Sequence, residues 1–406
     1  MLRSDGRVFR WTAMVSWLLV VAAPIHCTRI KHWQAARRVQ IGNTLLEADD
    51  LEAALVEFQQ AAALDPQLAV AHSRMGVIYR RMGEYDQAVA CFAGALRRDP
   101  RSFDDTLNLA QLYHFMHRLK DAVQAYLHAV DLRPLDFDAQ LNLGVCYQQL
   151  GDYSQAVERF HAAVDIDPDR PHAYVNLGVA YDAQHKYYQA INAYKAALER
   201  DSRQPLVLVN LAHTYMNQDR LKIAREVLRQ AVVIDRNLAA GYEALGYCLF
   251  RMTDYEEAEW NYKAALGCDP RLPRAHAGLG SIYMLRWLAD RSAGAAAASG
   301  NATATDGSAA RQGDTAALRH TALASNTSPE RHASADTAPT TTAARSAGTT
   351  STRRRSRHEL RALALEHWHL SLELDPNQPR IRRLIAKYKR VPTDPEATLL
   401  DGRPPR

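Results

Sequence analysis

The sequence predicts an all-α fold, a solenoid in which helix pairs stack along a superhelix and a final helix caps the stack. Small residues and bulky residues recur at a fixed step of 34 residues, which is typical of a repeat protein. Within each step, apolar residues have the spacing of two amphipathic helices and not the alternation of a strand. Prolines and glycines recur at the same interval, where helices are expected to end.

The period is defined by four kinds of residue. Prolines end the repeats at Pro66, Pro100, Pro134, Pro168 and Pro270, whereas Ser202 and Arg236 replace proline at two positions. One alanine series runs Ala54, Ala88, Ala122, Ala156, Ala190, Ala224 and Ala258, and a second runs from Ala61 to Ala265. A small residue recurs at Gly42, Gly76, Ala110, Gly144, Gly178, Ala212, Gly246 and Gly280. A bulky residue recurs at Phe58, Phe92, Tyr126, Phe160, Tyr194, Leu228 and Tyr262.

These residues indicate two helices in each repeat. The first helix carries apolar residues at helical spacing, as at Leu143 and Tyr147, and the second does so around Phe160. The small residue of the first helix allows the neighbouring backbone to approach, and the bulky residue fills the gap between the helices. A turn such as the one at Gly151 joins the pair, because glycine readily adopts a positive φ. The proline then ends the second helix.

The motif L-G-x-x-Y starting at Leu177, followed by A-x-x-x-Y-x-x-A starting at Ala190, resembles the tetratricopeptide repeat. The resemblance covers residues 35–288, and the motif is specific because it recurs so often. It implies a right-handed superhelix with a concave groove that binds polypeptides. The predicted repeats are 35–68, 69–102, 103–136, 137–170, 171–204, 205–238 and 239–272, with the first half of an eighth from 273.

The eighth repeat is predicted to be split by an insertion. Residues 289–357 are rich in Ala, Ser, Thr, Gly and Arg and have few large apolar residues, so we expect this segment to be disordered. The second helix of the repeat then returns at 358–377. Residues 378–391 should form a capping helix with one apolar face and a basic remainder, and 392–406 should be an unstructured tail.

Residues 1–30 form a separate segment, in which an apolar run from Trp11 to Ile25 follows three arginines. The run is shorter than the ~20 residues of a membrane-spanning helix and suits the hydrophobic part of an export signal. The residues around Ala23 and Cys27 form a poor cleavage site. We therefore expect membrane association or export, with a cytoplasmic protein as the alternative. A buried helix, or a true start at Met14, are also compatible with the pattern.

The sequence contains no motif for catalysis. There is no Gly-rich phosphate loop, no H-E-x-x-H, no G-x-S-x-G and no C-x-x-C. The five cysteines lack metal-ligand spacing and suit small buried side chains. The 50 Lys and Arg nearly balance the 45 Asp and Glu, so the charge does not indicate a nucleic-acid partner. We therefore expect a protein that is not an enzyme, with no cofactor and no metal site.

Four asparagines occupy the sixth position of successive first helices. They are Asn108, Asn142, Asn176 and Asn210, at steps of 34 residues. An amide side chain donates and accepts hydrogen bonds, so such a ladder can bind the backbone of an extended peptide. It resembles the asparagine ladders of importin-α and of the repeat domain of the O-linked N-acetylglucosamine transferase. Equally, these side chains can serve only to join neighbouring helices.

The sequence therefore predicts a scaffold or adaptor that binds an extended polypeptide in its concave groove. The Lys and Arg residues of the family's clamp for a terminal carboxylate are missing beside the ladder, which argues against a receptor for chaperone tails. One alternative is an assembly factor that self-associates through its convex face or its end repeats. Another is an accessory subunit of an enzyme that acts on the captured chain.

Overall fold

The computed structural model describes residues 29–298 and 356–389, and every regular element in these ranges is an α-helix. The all-α repeat fold is thereby confirmed. The chain divides into two compact units, Met1–Lys186 and Tyr187–Arg406. Within each unit, helices that follow one another in the chain pack side by side.

The first unit contains nine helices among its described residues. They are α1 (29–47), α2 (Leu51–Leu64), α3 (Ala69–Arg81), α4 (Tyr85–Arg98), α5 (Phe103–Phe115), α6 (Leu119–Leu132), α7 (Phe137–Leu150), α8 (Tyr153–Ile166) and α9 (Pro171–Ala183). The odd-numbered helices are the first members of their repeats. Several helices start where the sequence supplies a cap. The carboxylates of Asp50, Asp136 and Asp152 each accept a hydrogen bond from the backbone N–H three residues later.

The second unit contains eight helices among its described residues. They are α10 (Tyr187–Arg200), α11 (Pro205–Asn217), α12 (Leu221–Ile234), α13 (Ala239–Arg251), α14 (Tyr255–Cys268), α15 (Pro273–Ala298), α16 (Arg357–Leu374) and α17 (Pro379–Lys389). Here α11, α13 and α15 are first helices. Proline is the first residue of α9, α11 and α15. The N–H of a first helical residue has no acceptor within the helix, so proline, which lacks this N–H, costs no hydrogen bond there.

The recurring glycine and the recurring bulky residue contact each other in the helix pairs. A Cβ placed on Gly76 would lie 2.9 Å from the Phe92 ring, and one on Gly144 would lie 2.6 Å from the Phe160 ring. In the second unit, Gly246 meets Tyr262 in the same way, at 3.0 Å. The bulky side chains are fully buried. The residues that recur every 34 positions are therefore those at the close contact between the two helices of a pair.

The turns inside the helix pairs share one backbone conformation. Gly83 and Gly151 have φ values of 80° and 84°, as the sequence predicted. The same position in the other turns also has positive φ, although it carries a side chain there. These residues are Asp49, His117, His185, Asp219 and Thr253. The turn geometry is therefore set by the repeat, and glycine is only its least strained occupant.

The eighth repeat is formed by α15 and α16, which pack together although their sequences lie far apart. Trp368 of α16 is fully buried and lies against Gly280, and Ser371 Oγ donates to the carbonyl of Pro273 at 2.8 Å. The expected disorder from 289 is wrong for residues 289–298, which extend α15 to Ala298. The Ala-rich sequence there has high helix propensity. Residues 299–355 lie outside the described part.

The predicted capping helix is α17, within the expected 378–391. Its buried residues are Ile381, Leu384, Ile385 and Tyr388. Arg361 of α16 donates from Nη2 to the carbonyl of Tyr388 at 2.7 Å and so fastens the end of α17. The N-terminal segment up to residue 28 and the tail from residue 390 lie outside the described residues. Among the described helices, none is both long and apolar enough to cross a bilayer.

Candidate functional site

The inner wall is formed by one face of the first helices, to the side of the face that packs against the second helices. The small residue at position eight of each first helix faces the second helix, as Gly76 and Gly144 show. Positions two, five, six, nine and twelve form a face centred about 100° around the helix from position eight, because each residue turns the helix by about 100°. In the first unit most of their side chains are partly or fully exposed, as expected for a groove.

Asn108 has both ends of its amide occupied. Its Oδ1 accepts a hydrogen bond from Arg80 Nη1 of α3 at 2.8 Å, and its Nδ2 donates to the carbonyl of Asp104 at 2.8 Å. The bond from Arg80 joins the first helices of two consecutive repeats. At this position the asparagine therefore has a structural role, and a peptide backbone would have to displace one of these partners.

Asn142 and Asn176 differ from Asn108. Asn142 is half-buried on α7, and Asn176 on α9 has a relative exposure of 9%. Neither side chain makes a hydrogen bond to another described residue, and neither is among the fully enclosed polar groups without a partner. Their amides are thus the two members of the ladder in the first unit that keep hydrogen-bonding capacity for a ligand.

Asn210 belongs to the second unit, where it lies half-buried on α11. Its backbone carbonyl accepts from Thr214 Oγ1 at 3.1 Å, and its side-chain amide makes no hydrogen bond within the described residues. The predicted ladder therefore comprises three asparagines that retain free amides and one, Asn108, that is already bonded.

A second polar row was missed in the sequence. It occupies position twelve of the first helices in the first unit and consists of Arg80, His114, Gln148 and Asp182. Arg80 contacts Asn108, and the His114 ring nitrogen Nε2 lies 3.0 Å from Gln149 Oε1. Because the four residue types differ in size and charge, a search for a recurring residue does not find this row. Only its 34-residue spacing could have revealed it.

Aliphatic side chains lie between the two polar rows. Positions five and nine carry Leu107, Leu141, Val145, Val175 and Val179, all of which are half-buried. An extended peptide lying on this strip would cover their remaining apolar surface, which favours binding by about 25 cal/mol per Å². The inner wall thus offers an apolar strip bordered by hydrogen-bonding groups.

The inner wall of the second unit is more closed and carries a charged cluster. Arg274 of α15 lies 3.7 Å from the carboxylate of Glu243 on α13. Burial, with a smaller contribution from Arg274, lowers the pKa of His213 on α11 to about 4. His213 is therefore neutral at physiological pH. Val209, which directly precedes Asn210 on α11, is buried with a relative exposure of 7%.

The described residues contain no group of three or more His, Cys, Asp or Glu side chains arranged to hold a metal ion. Burial raises the pKa of Cys146 to about 12 and that of Cys248 to about 11, so both thiols stay protonated at neutral pH. Protonated, buried thiols suit the packing role that the sequence suggested for them.

Comparison with known families identifies the fold family. The model of the cilia and flagella-associated protein 70 C-terminal domain matches residues 22–279, which is more than half of the chain. The chain belongs to this family of tetratricopeptide repeat (TPR) domains. The resemblance that the sequence motifs predicted is therefore confirmed. A search of curated proteins finds no match.

Among the similar solved structures, one shares the fold with a TM-score above 0.5. The C-terminal part of a TPR repeat-containing protein from Cytophaga hutchinsonii is 18% identical with a TM-score of 0.51, covering 59% of this chain and 98% of that one. YrrB, described as a TPR protein with an unusual peptide-binding site, is 26% identical with a TM-score of 0.40, covering 42% and 88%. The MamA protein is 22% identical with a TM-score of 0.40, covering 42% and 93%. The chain is thus a TPR protein with a protein-interaction fold.

Proposed function

We propose that this protein is a scaffold that binds an extended polypeptide along the inner wall of its first helices. The observation that carries the proposal is the pair Asn142 and Asn176 in the first unit. Both keep their side-chain amides free of hydrogen bonds to the described residues, beside a half-exposed aliphatic strip. Side chains that serve only to join helices would be bonded as Asn108 is.

Asn108 and Asn210 enter the proposal differently. Asn108 contributes to binding only if Arg80 releases it, so we assign it a supporting role in holding α3 and α5 together. Asn210 offers a free amide on the second unit, separate from the pair in the first unit. The amide contacts hold the backbone of the partner and leave its sequence to be selected by other groups on the wall.

The test is a capture experiment from a cell extract with identification of bound proteins by mass spectrometry. We expect the purified chain to retain specific proteins and a variant with all four ladder asparagines changed to alanine to lose them. Asn192→Ala is the matched control, because Asn192 is exposed on α10, a second helix. Retention of the same proteins by the quadruple variant would contradict binding at the inner wall.

Self-association is a second candidate, and the exposed end of α1 favours it. Ile30, Trp33 and Ile41 on α1 have relative exposures of 55%, 63% and 40%. These residues lie on the side of α1 where a preceding repeat would pack. Sedimentation equilibrium of the wild type and of Trp33→Ser/Ile41→Ser distinguishes the candidates. A monomer in both cases would exclude this end as a self-association surface.

We also propose that residues 1–30 direct the protein to a membrane or to export, on the basis of the apolar run behind three arginines. The expected result is that the full chain partitions with membranes or with the exported fraction. Deletion of residues 1–30 should return the protein to the soluble fraction of the cell. Equal soluble fractions for the two proteins would overturn this proposal.

A further inference from the structure

The last described helix, α17, carries charge of one sign. Its charged residues are all exposed, and they are Arg380, Arg382, Arg383, Lys387 and Lys389. From the second repeat onward, the second helices before it each combine acidic and basic residues; these helices are α4, α6, α8, α10, α12, α14 and α16. Mixed signs are typical of a surface that only has to stay soluble. The charge of α17 therefore indicates a more specific role than solubility.

The apolar side of α17 is already covered within the protein. Its buried residues are Ile381, Leu384, Ile385 and Tyr388. The helix packs on α16, and the Tyr388 ring also meets that of Trp287 on α15, with centroids 6.2 Å apart. Between the cations, the exposed side contains only Pro379 and Ala386. A partner that meets this side therefore finds positive charge and no large apolar side chain.

The cations surround the exposed half of the helix. With about 100° between successive residues, their five positions spread over about 180° around the axis, along a helix about 16 Å long. An extended acidic peptide would follow one line along this face and meet only part of the charge. A flat anionic surface can be reached from all five positions, because arginine and lysine side chains are long and bend toward a polar boundary. The spread of charge therefore favours a broad anionic surface as the partner.

We propose that α17 docks the C-terminal end of the second unit on a membrane surface that is rich in anionic phospholipids. The negative headgroups complement the cations, and each lysine or arginine near such a surface strengthens binding about fivefold. The helix rests on the headgroups and does not insert, since its apolar side is packed on α16. This docking goes beyond the peptide binding proposed for the inner wall and does not depend on it.

Two of the cations can be changed without removing a polar contact of the fold. Arg383 and Lys389 make no side-chain hydrogen bond or ion pair with another described residue. Arg382, by contrast, donates from Nη2 to a backbone carbonyl at 2.6 Å. Arg383→Gln/Lys389→Gln removes two charges, and glutamine has a helix propensity close to that of arginine and lysine. Lys195→Gln/Lys222→Gln is the matched control, because both lysines are exposed on other helices of the same unit.

The test measures how the full chain partitions onto sedimenting vesicles of phosphatidylcholine, with or without about 30% phosphatidylserine. We expect the wild type to prefer the anionic vesicles. The α17 double variant should bind them about 10- to 30-fold more weakly than the wild type, and the control should change by less than about twofold. About 0.5 M NaCl should remove most of this difference, because salt screens exposed charges. Residues 1–30 are present in every protein, so their contribution cancels in the ratio.

A variant that conserves the charges separates electrostatics from packing. Arg383→Lys/Lys389→Arg should keep the wild-type affinity, and thermal unfolding of each variant checks that it is folded. Loss of affinity in this variant too would show that the packing of α17 sets binding and would overturn the proposal. Equal affinity of the wild type and the glutamine variant for anionic vesicles would also overturn it. So would binding of a polyglutamate peptide by a wild type that does not prefer anionic vesicles, which would assign α17 to an acidic polypeptide.

Discussion

At the scale of single residues, the position of positive φ in each turn is where a substitution by glycine should increase stability. Thr253 has a φ of 67°, a conformation that costs a residue with a branched Cβ about 1–2 kcal/mol. We expect Thr253→Gly to raise the free energy of unfolding by up to about 1 kcal/mol, because glycine removes the strain but gains entropy in the unfolded state. Chemical denaturation followed by circular dichroism measures the change.

Gly83→Ala is the reciprocal change. A Cβ at Gly83 has no neighbouring atom within 4 Å, so only the φ of 80° opposes it. We expect a loss of about 1 kcal/mol in the free energy of unfolding. If both substitutions left stability unchanged, backbone strain would not set the turn residue, and the explanation of the positive φ series would be wrong.

His213 makes the second unit sensitive to acid. Burial, followed by Arg274, lowers its pKa to about 4 in the folded chain, against about 6.5 when unfolded. The unfolded chain therefore binds more protons between these values, and stability falls as the pH drops from about 6.5 to about 4. Between pH 7 and pH 4, the free energy of unfolding should fall by about 1–3 kcal/mol less in His213→Gln than in the wild type. Chemical denaturation at each pH measures this difference. An unchanged slope would contradict a neutral, buried His213.

At the scale of helices, two glycines that both lie inside helices should respond in opposite ways. Gly144→Ala places a Cβ 2.6 Å from the Phe160 ring and should destabilise the α7–α8 pair by about 1–3 kcal/mol. Gly94 lies inside α4, and its Cβ would approach no atom closer than 3.5 Å. Gly94→Ala should therefore stabilise the chain by about 0.5–1 kcal/mol through helix propensity. Thermal unfolding of both variants decides whether the pattern of contacts is correct.

Most helices could be predicted because the residue pattern of each helix recurs in successive repeats. Glycine and an aromatic residue meet in these pairs, as Gly76 meets Phe92 and Gly144 meets Phe160. Both residues recur in the sequence at a fixed interval. The extension of α15 to Ala298 was not predicted, because the repeat pattern ends near residue 288 and gives no signal for the helix beyond it. A helix needs no repeat to continue through alanines.

The candidate site could be predicted only in part. The sequence places the four asparagines at one position, yet it does not show that Arg80 already bonds Asn108. That bond depends on how position twelve of one helix meets position six of the next, which is a property of packing. For the same reason, the sequence did not show that Val209 is buried.

At the scale of the whole molecule, the split eighth repeat should tolerate removal of its insertion. α15 and α16 pack through Trp368 and the bond from Ser371 to Pro273. We predict that replacing residues 299–355 with a short Gly-Ser turn preserves the helical content and does not lower the thermal midpoint. A shorter loop lowers the entropic cost of joining the two helices. Cooperative loss of helicity would show that the removed segment is part of the fold.

The central claim is that the free asparagines of the inner wall bind a polypeptide and do not merely support the fold. The most direct measurement compares affinity and stability on the same variants, using a partner recovered by capture. Asn142→Ala/Asn176→Ala should keep the wild-type thermal midpoint and bind about five- to 150-fold more weakly, since each lost hydrogen bond costs about 0.5–1.5 kcal/mol. Asn108→Ala, which breaks the bond from Arg80, should lower the midpoint instead. Wild-type affinity in a fully folded double variant would contradict the account.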